Sequence, residues 1–388
     1  MKKNILSKSN LLYIVTVLIS IFILAIAGRY VSGTAEIFKD ETDMEIARTT
    51  VKSIIDRSVE DYSYDGVTSQ SIQVTFESEV ISGDRKGEIL TAVQNLDYTP
   101  PYIYTNEVSI DDKVILIDAG LDVSEWHFVE YIRTDKLMIL GGIFVLALLA
   151  FGRKKGLSTL LSLSLTFGAV FTVLIPAILG GKNIYLWAIM TCLYSILATL
   201  LILNGFNKKS FSTIIGCFSG VLIAGAITLI MDKALALTGV TGDESLYLAY
   251  LPTDVPINLR AIIFAAIIIG AMGAIMDVAM SISSSLWELR EHNPNTTART
   301  LFSSGMTIGR DIMGTMANTL VLAYIGSSLS TVLLLVVYDS SIIFLLNREM
   351  IVIEILQALV GSMGILLSIP MTSLFASFIY TKALKKLH

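Results

Sequence analysis

Arg310 and Asp311 stand side by side in a stretch whose length and apolar tail suit a membrane-spanning helix (Gly309-Arg310-Asp311-Ile312-Met313-Gly314-Thr315-Met316-Ala317-Asn318). Charged side chains in hydrocarbon cost several kcal/mol, on the order of 3 on insertion scales, unless they are paired or hydrated. They persist where a helix faces protein or a wet cavity, so this stretch is expected to be an interior helix. A second polar group precedes them: on a helix, Asp277 and Ser281 share a face with Gly270, Gly273 and Ala274. Adjacent residues point about 100° apart on a helix, so Arg310 and Asp311 do not pair with each other. Asp277 and then Glu354 are the expected partners of Arg310. Two chemistries fit this set: coordination of an ion or polar solute by Asp277, Ser281, Arg310, Asp311, Thr315, Asn318 and Glu354, or an interhelical ion pair that fixes packing.

Catalysis has little support. The chain shows no P-loop, no HExxH and no GxSxG, and Ser283 to Ser285 lack a neighbouring His or Lys base. Paired-aspartate proteolysis would need Asp277 and Asp311 to share a proton, and an arginine beside Asp311 opposes that. Cys192 and Cys217 lie inside apolar runs and His127, His292 and His388 are scattered, so neither a disulfide framework nor a metal site is expected. No cofactor is expected, and the chain reads as a non-enzyme.

The elements that must position these residues follow from hydropathy. Hydrophobic residues make up 54% of the 388 and charged ones 16%, with mean hydropathy +0.70, well outside the soluble range. Charge is unevenly placed: residues 36–136 hold 22 acidic and 9 basic residues, and the rest of the chain holds 11 and 19. An acidic water-exposed domain is thus joined to a basic membrane domain. Clustered Lys/Arg on a soluble face, the mark of nucleic-acid binding, is missing.

The apolar runs predict eight crossings, at 11–27, 137–151, 157–179, 184–203, 211–231, 259–286, 305–327 and 350–380. With the amino terminus inside, Arg153-Lys154-Lys155, Lys208-Lys209 and the tail Lys382, Lys385 and Lys386 all fall on the cytoplasmic side. The first run is preferred as an uncleaved anchor (1–33), although Ala25-Ile26-Ala27 also suits signal cleavage. Residues 331–347 are apolar but interrupted at Tyr338-Asp339-Ser340-Ser341. A ninth crossing would put the tail lysines outside, so this piece is expected to be broken or re-entrant. Small-residue stripes at Ser212, Gly216, Gly220, Ala224 and at Ala266, Gly270, Ala274 mark close helix packing. Thr296 or Thr297 is expected to cap a short amphipathic helix reaching Ser303.

Residues 34–135 form the outer domain and 136–388 the membrane domain. Residues 43–57 read as one amphipathic helix, on Met44, Ala47, Val51, Ile54 and Ile55. Five short strands follow, at 71–76, 87–93, 102–108, 113–117 and 126–132, and predict a small β-barrel of OB-like type. The bland reading of that domain, a spacer or assembly surface, outweighs a ligand site.

From about Lys136 to the C-terminus the chain resembles the YibE/F-like membrane proteins. The resemblance rests on Gly273-Ala274-Ile275-Met276-Asp277-Val278-Ala279-Met280-Ser281-Ile282, on Ile308 to Leu320, on Gly361-Ser362-Met363-Gly364 and on Ile369-Pro370-Met371-Thr372. The long outer domain is similar to the larger of two related types. The resemblance implies a shorter related membrane protein as hetero-oligomeric partner, and a homo-oligomer is the other arrangement considered. Taken together, the expectation is a multi-pass cell-membrane permease or channel for a small ion or polar solute, with both termini cytoplasmic. The competing expectation is an assembly or sensor subunit whose outer domain binds a partner.

Overall fold

The computed structural model describes residues 8–31, 45–64, 67–98, 106–118, 126–251, 255–338 and 341–384. They fall into two compact units, residues 38–147 and residues 1–37 with 148–388.

The smaller unit is a closed five-stranded barrel of β1 (Glu45–Tyr64), β2 (Val67–Val80), β3 (Ile89–Tyr98), β4 (Lys113–Asp118) and β5 (Trp126–Tyr131). Around the barrel the order is β1-β2-β3-β5-β4, with β4 closing on β1 and only β3 and β5 parallel. Val51, Val74, Phe76, Val80, Leu90, Ala92, Val114, Leu116 and Trp126 fill its centre. Buried Gln94 ties down the segment before β4: its amide donates to the Asn106 carbonyl (3.1 Å) and its carbonyl accepts from Val108 N–H (2.9 Å).

β1 corrects the expected helix at 43–57. Ala47, Thr49 and Val51 are buried in alternation with exposed or half-buried neighbours, and both edges of the strand are paired, to β2 and to β4. Ala47 and Val51 are four residues apart, a spacing common to a helix face and a strand face. The β-branched run Thr49-Thr50-Val51 and two paired edges decide for strand, while Ile54 and Ile55 stay exposed. Of the strand expected at 102–108, residues 102–105 lie outside the described residues, and 106–108 are not in a strand.

The larger unit is helical. It contains α1 (Lys8–Val31), most of α2 (Thr134–Ala169), α3 (Ile175–Leu179), α4 (Ile184–Asn204), α5 (Lys208–Ala234), α6 (Asp243–Ala249), α7 (Leu259–His292), α8 (Ala298–Ser327), α9 (Leu329–Tyr338), α10 (Ile342–Asn347) and α11 (Glu349–Leu384). A π turn, Val170–Leu174, joins α2 to α3. Six helical runs are long and apolar enough to cross a membrane, or seven if α8 and α9, bent by 62° at Ser328, count as one. One of the six, Thr134–Leu179, has 46 residues, about twice the length that a bilayer core of ~30 Å needs. It is not straight: Arg153 has φ 47° and ψ −121°, and a Cβ on Gly156 would overlap the Leu148 carbonyl, so the chain reverses there.

The centre of the unit is α5, α7 and α11, flanked by α4 and α8. The stripe Ser212, Gly216, Gly220, Ala224 is buried, and Gly220 lies under Ile275 of α7 and Ser368 of α11. α1 packs on this unit: Val31 meets Val173 and Ala177, and Tyr194 Oη donates to the Ser20 carbonyl (3.1 Å).

Candidate functional site

α7 and α8 carry the site residues and run antiparallel through a turn that is exposed except at Thr296. Arg290, 8% exposed near the end of α7, donates from Nη1 to the Thr296 carbonyl (2.6 Å). Thr297 then caps α8 by accepting from Thr300 N–H (3.2 Å). The short helix expected up to Ser303 is therefore the opening turns of α8 itself. Contacts along α8 set its height against its neighbours. Gly305 meets Leu286 and Ser373, Gly309 meets Ile369, Leu320 meets Gly361, and Tyr324 Oη lies by Gly270.

These contacts fix which way α8 faces. Leu301, Gly305 and Gly309 are buried, and Ile308, Ile312, Met313, Met316 and Leu320 pack on the core. Thr307, Arg310, Asp311, Gly314, Thr315 and Asn318 are exposed. On α7, Asp277 and Ser281 are exposed as well, with Ser281 Oγ donating to the Asp277 carbonyl (2.8 Å). The expected interior helix thus has its glycine face inward and its charged face outward. Of the second small-residue stripe, Ala266 and Gly270 lie on the exposed side of α7, so it is not a core stripe like that of α5.

The expected ion pairs do not form. Among the described residues, no salt bridge of 4.0 Å or less joins Arg310 to Asp277 or to Glu354. The reason differs for the two acids. Glu354 sits on α11 one turn beyond Gln357, which reaches the Gly270–Tyr324 contact. Arg310 is level with Ile369, fifteen residues further along α11, a separation of ~22 Å along the axis. Asp277 lies at the right depth, near the Ile275–Gly364 contact, but like Arg310 it points out of the bundle. The structure therefore gathers Asp277, Ser281, Arg310, Asp311, Thr315 and Asn318 on the outer faces of two neighbouring helices and leaves Glu354 apart.

Depth follows from the same register. Arg310 is about level with Ser281, seven residues inside the first acidic residue near the C-terminal end of α7, Glu288, or ~10 Å. Asp277 is roughly one turn deeper. Asp277 lies within a helix long and apolar enough to cross a membrane; α8, which carries Arg310, meets that measure together with α9.

A buried polar cluster that sequence reasoning did not assemble lies at the same end. Ser212, Ser283 and Tyr380, from α5, α7 and α11, bond mutually: Ser212 Oγ to Ser283 Oγ at 2.8 Å, Ser212 Oγ to Tyr380 Oη at 2.7 Å and Ser283 Oγ to Tyr380 Oη at 2.6 Å. Trp287 meets the Tyr380 ring edge to face at 5.1 Å. The three helices are locked in register there. Ser212 in a small stripe and Ser283 in a serine run were visible signals; their meeting at Tyr380 was not.

In the barrel unit, a groove of about 680 Å³ is bordered by Glu107, Asp111, Asp112, Lys113, Tyr131 and Arg133. Its charges are spent locally. Arg57 holds Glu107 in a two-point contact at 2.8 Å each, and Ser109 N–H bonds the Asp112 carboxylate (2.8 Å). No group of three or more His, Cys, Asp or Glu side chains suited to a metal occurs among the described residues.

Comparison with known proteins agrees with the resemblance read from the sequence. The family model described as "YibE/F-like protein" matches residues 140–382, the stretch that contains every residue of the α7–α8 face. No curated protein and no solved structure matches the chain.

Proposed function

This chain belongs to the YibE/F-like family, and on that premise we propose that it is a membrane permease or channel for a small ion or polar solute. The observation that carries the proposal is the polar face of α7 and α8. Asp277 and Ser281 are exposed on α7, which is long and apolar enough to cross a bilayer, and Arg310, Asp311, Thr315 and Asn318 are exposed on α8, which reaches that measure together with α9. In hydrocarbon such groups need water, an opposite charge or a polar solute beside them, and a strip that offers both signs along one depth range suits passage of a small charged or dipolar species. Glu354 lies away from this strip, near the start of α11.

In this reading the chain crosses the cell membrane eight times, the run Thr134–Leu179 counting as two crossings about Arg153, with both termini cytoplasmic. The reversal at Gly156 and the basic residues Lys154 and Lys155 beside it support that assignment. α9 and α10 would form a broken or re-entrant piece. The outer barrel would be OB-like, a reading supported by its five strands and their β1-β2-β3-β5-β4 order. The chain would not be an enzyme.

The experiment is flux into proteoliposomes across a panel of small ions and polar solutes, comparing the native chain with Arg310→Ala and Asp311→Asn. Both side chains are exposed, so both variants should insert and fold. Loss of flux with normal accumulation supports a permease. Unchanged flux would remove this strip from the pathway.

A further inference from the structure

We propose that the exposed face of α8 is the contact surface for a second copy of this chain, forming a two-fold dimer whose axis runs along the membrane normal. The inference does not require the transport reading; it starts from the angular positions of the exposed residues. At about 100° per residue, Thr307, Gly314 and Asn318 fall along the middle of the exposed arc, with Arg310 on one flank and Asp311 on the other. Gly314 has open space where a side chain would stand, and a small residue at the middle of the arc allows a second helix to approach closely.

A two-fold rotation about the membrane normal keeps every residue at its own depth and brings the left flank of one helix to the right flank of its partner. Arg310 and Asp311 differ by one residue, about 1.5 Å in height. Across such an axis, Arg310 of each copy meets Asp311 of the other, twice. The face is therefore complementary in charge to itself, and neither charge has a salt-bridge partner within the single chain among the described residues. The opposite side of α8 is already occupied, with Gly305 and Gly309 under Ser373 and Ile369, so the dimer leaves the bundle intact. Asp277 and Ser281, exposed on α7 alongside, would border the seam.

The test uses the full-length protein in lipid nanodiscs and in detergent. Its mass is read by light scattering, and oxidative cross-linking is read for Asn318→Cys and, on the exposed side of α11, Leu359→Cys; native Cys192 and Cys217 are buried. The expected result is a dimer, with a cross-linked band of twice the chain mass for Asn318→Cys and none for Leu359→Cys. Arg310→Asp and Asp311→Arg should each weaken dimerisation at least tenfold, and the double variant should restore it, because the charges are then exchanged on both flanks. A monomeric native protein, dimerisation indifferent to the single reversals, or a cross-link only to a chain of different mass would each overturn the inference. The two proposals fail separately. A dimer without flux would remove the permease and leave the interface standing, and flux from a monomer would do the reverse.

Discussion

Gly309 of α8 lies directly against Ile369 of α11, so that no side chain fits at position 309, while the next residue in the chain, Arg310, is exposed. One step along the sequence carries the helix from its packed side to its polar side, and the whole orientation of the candidate site hangs on that contact. Gly309→Leu is accordingly expected to destabilise the bundle by about 1–3 kcal/mol, the usual penalty for overfilling a packed interface. Thr315→Leu, on the exposed side, should leave the melting temperature of the purified protein nearly unchanged. Equal effects of the two substitutions would contradict the orientation of α8.

Tyr380→Phe removes one hydroxyl from the mutually bonded set of Ser212, Ser283 and Tyr380. Hydrogen bonds between membrane helices average about 0.6 kcal/mol and reach about 1.7. A loss in that range is expected, because the two serines still bond each other. Ser212→Ala and Tyr380→Phe should be non-additive in a double-mutant cycle measured by thermal unfolding in detergent. Strict additivity would mean that the cluster is not a single unit.

Glu349 opens α11 and holds the loop after α5, accepting from Thr238 N–H (2.8 Å), Gly239 N–H (2.6 Å) and the Thr238 hydroxyl (2.8 Å). Glu349→Ala should speed hydrogen exchange at Thr238 and Gly239 by at least tenfold while peptides from α8 keep their protection. Unchanged exchange at those two amides would show that the loop is held by other contacts.

The barrel should weaken in acid. Hydrogen bonds from Arg57 and Arg85 hold the Glu107 and Glu88 carboxyls below their usual 4.5, the Arg57 pair being bidentate. Their folded values lie below the unfolded ones. The stabilisation is therefore fully present above about pH 4.5, and it is lost as pH falls through the depressed folded values. Hydrogen exchange of barrel peptides in the full-length chain, compared at pH 6 and at pH 3 after correction for the intrinsic rate, should show the loss. Arg57→Met should reduce the pH dependence near Glu107. A barrel equally protected at both pH values would exclude these pairs as contributors.

The barrel also shows where periodicity runs out. Residues 71–76 were legible as strand β2 because Ile72, Val74 and Phe76 alternate with polar residues. β1 was not, because Ala47 and Val51 satisfy both periods, and only its pairing to β2 and β4 selects one. The Ser212–Ser283–Tyr380 cluster was hidden for a related reason: it joins three helices distant in sequence, and no local pattern records which side chains meet at their crossing.

By itself the sequence determined that this is a membrane protein with an acidic β-rich domain, and that Arg310 and Asp311 share a helix with Gly305 and Gly309 while pointing about 100° apart. It also named Asp277 as a candidate partner of Arg310. Only the tertiary structure decided that the glycine side is the packed one and the charged side the open one. The physical reason is that helical spacing fixes the angles between residues of one helix but not the rotation of that helix against its neighbours. In a bilayer the surroundings are as apolar as the core, so hydropathy does not choose the face, and close packing, here Gly309 under Ile369, does.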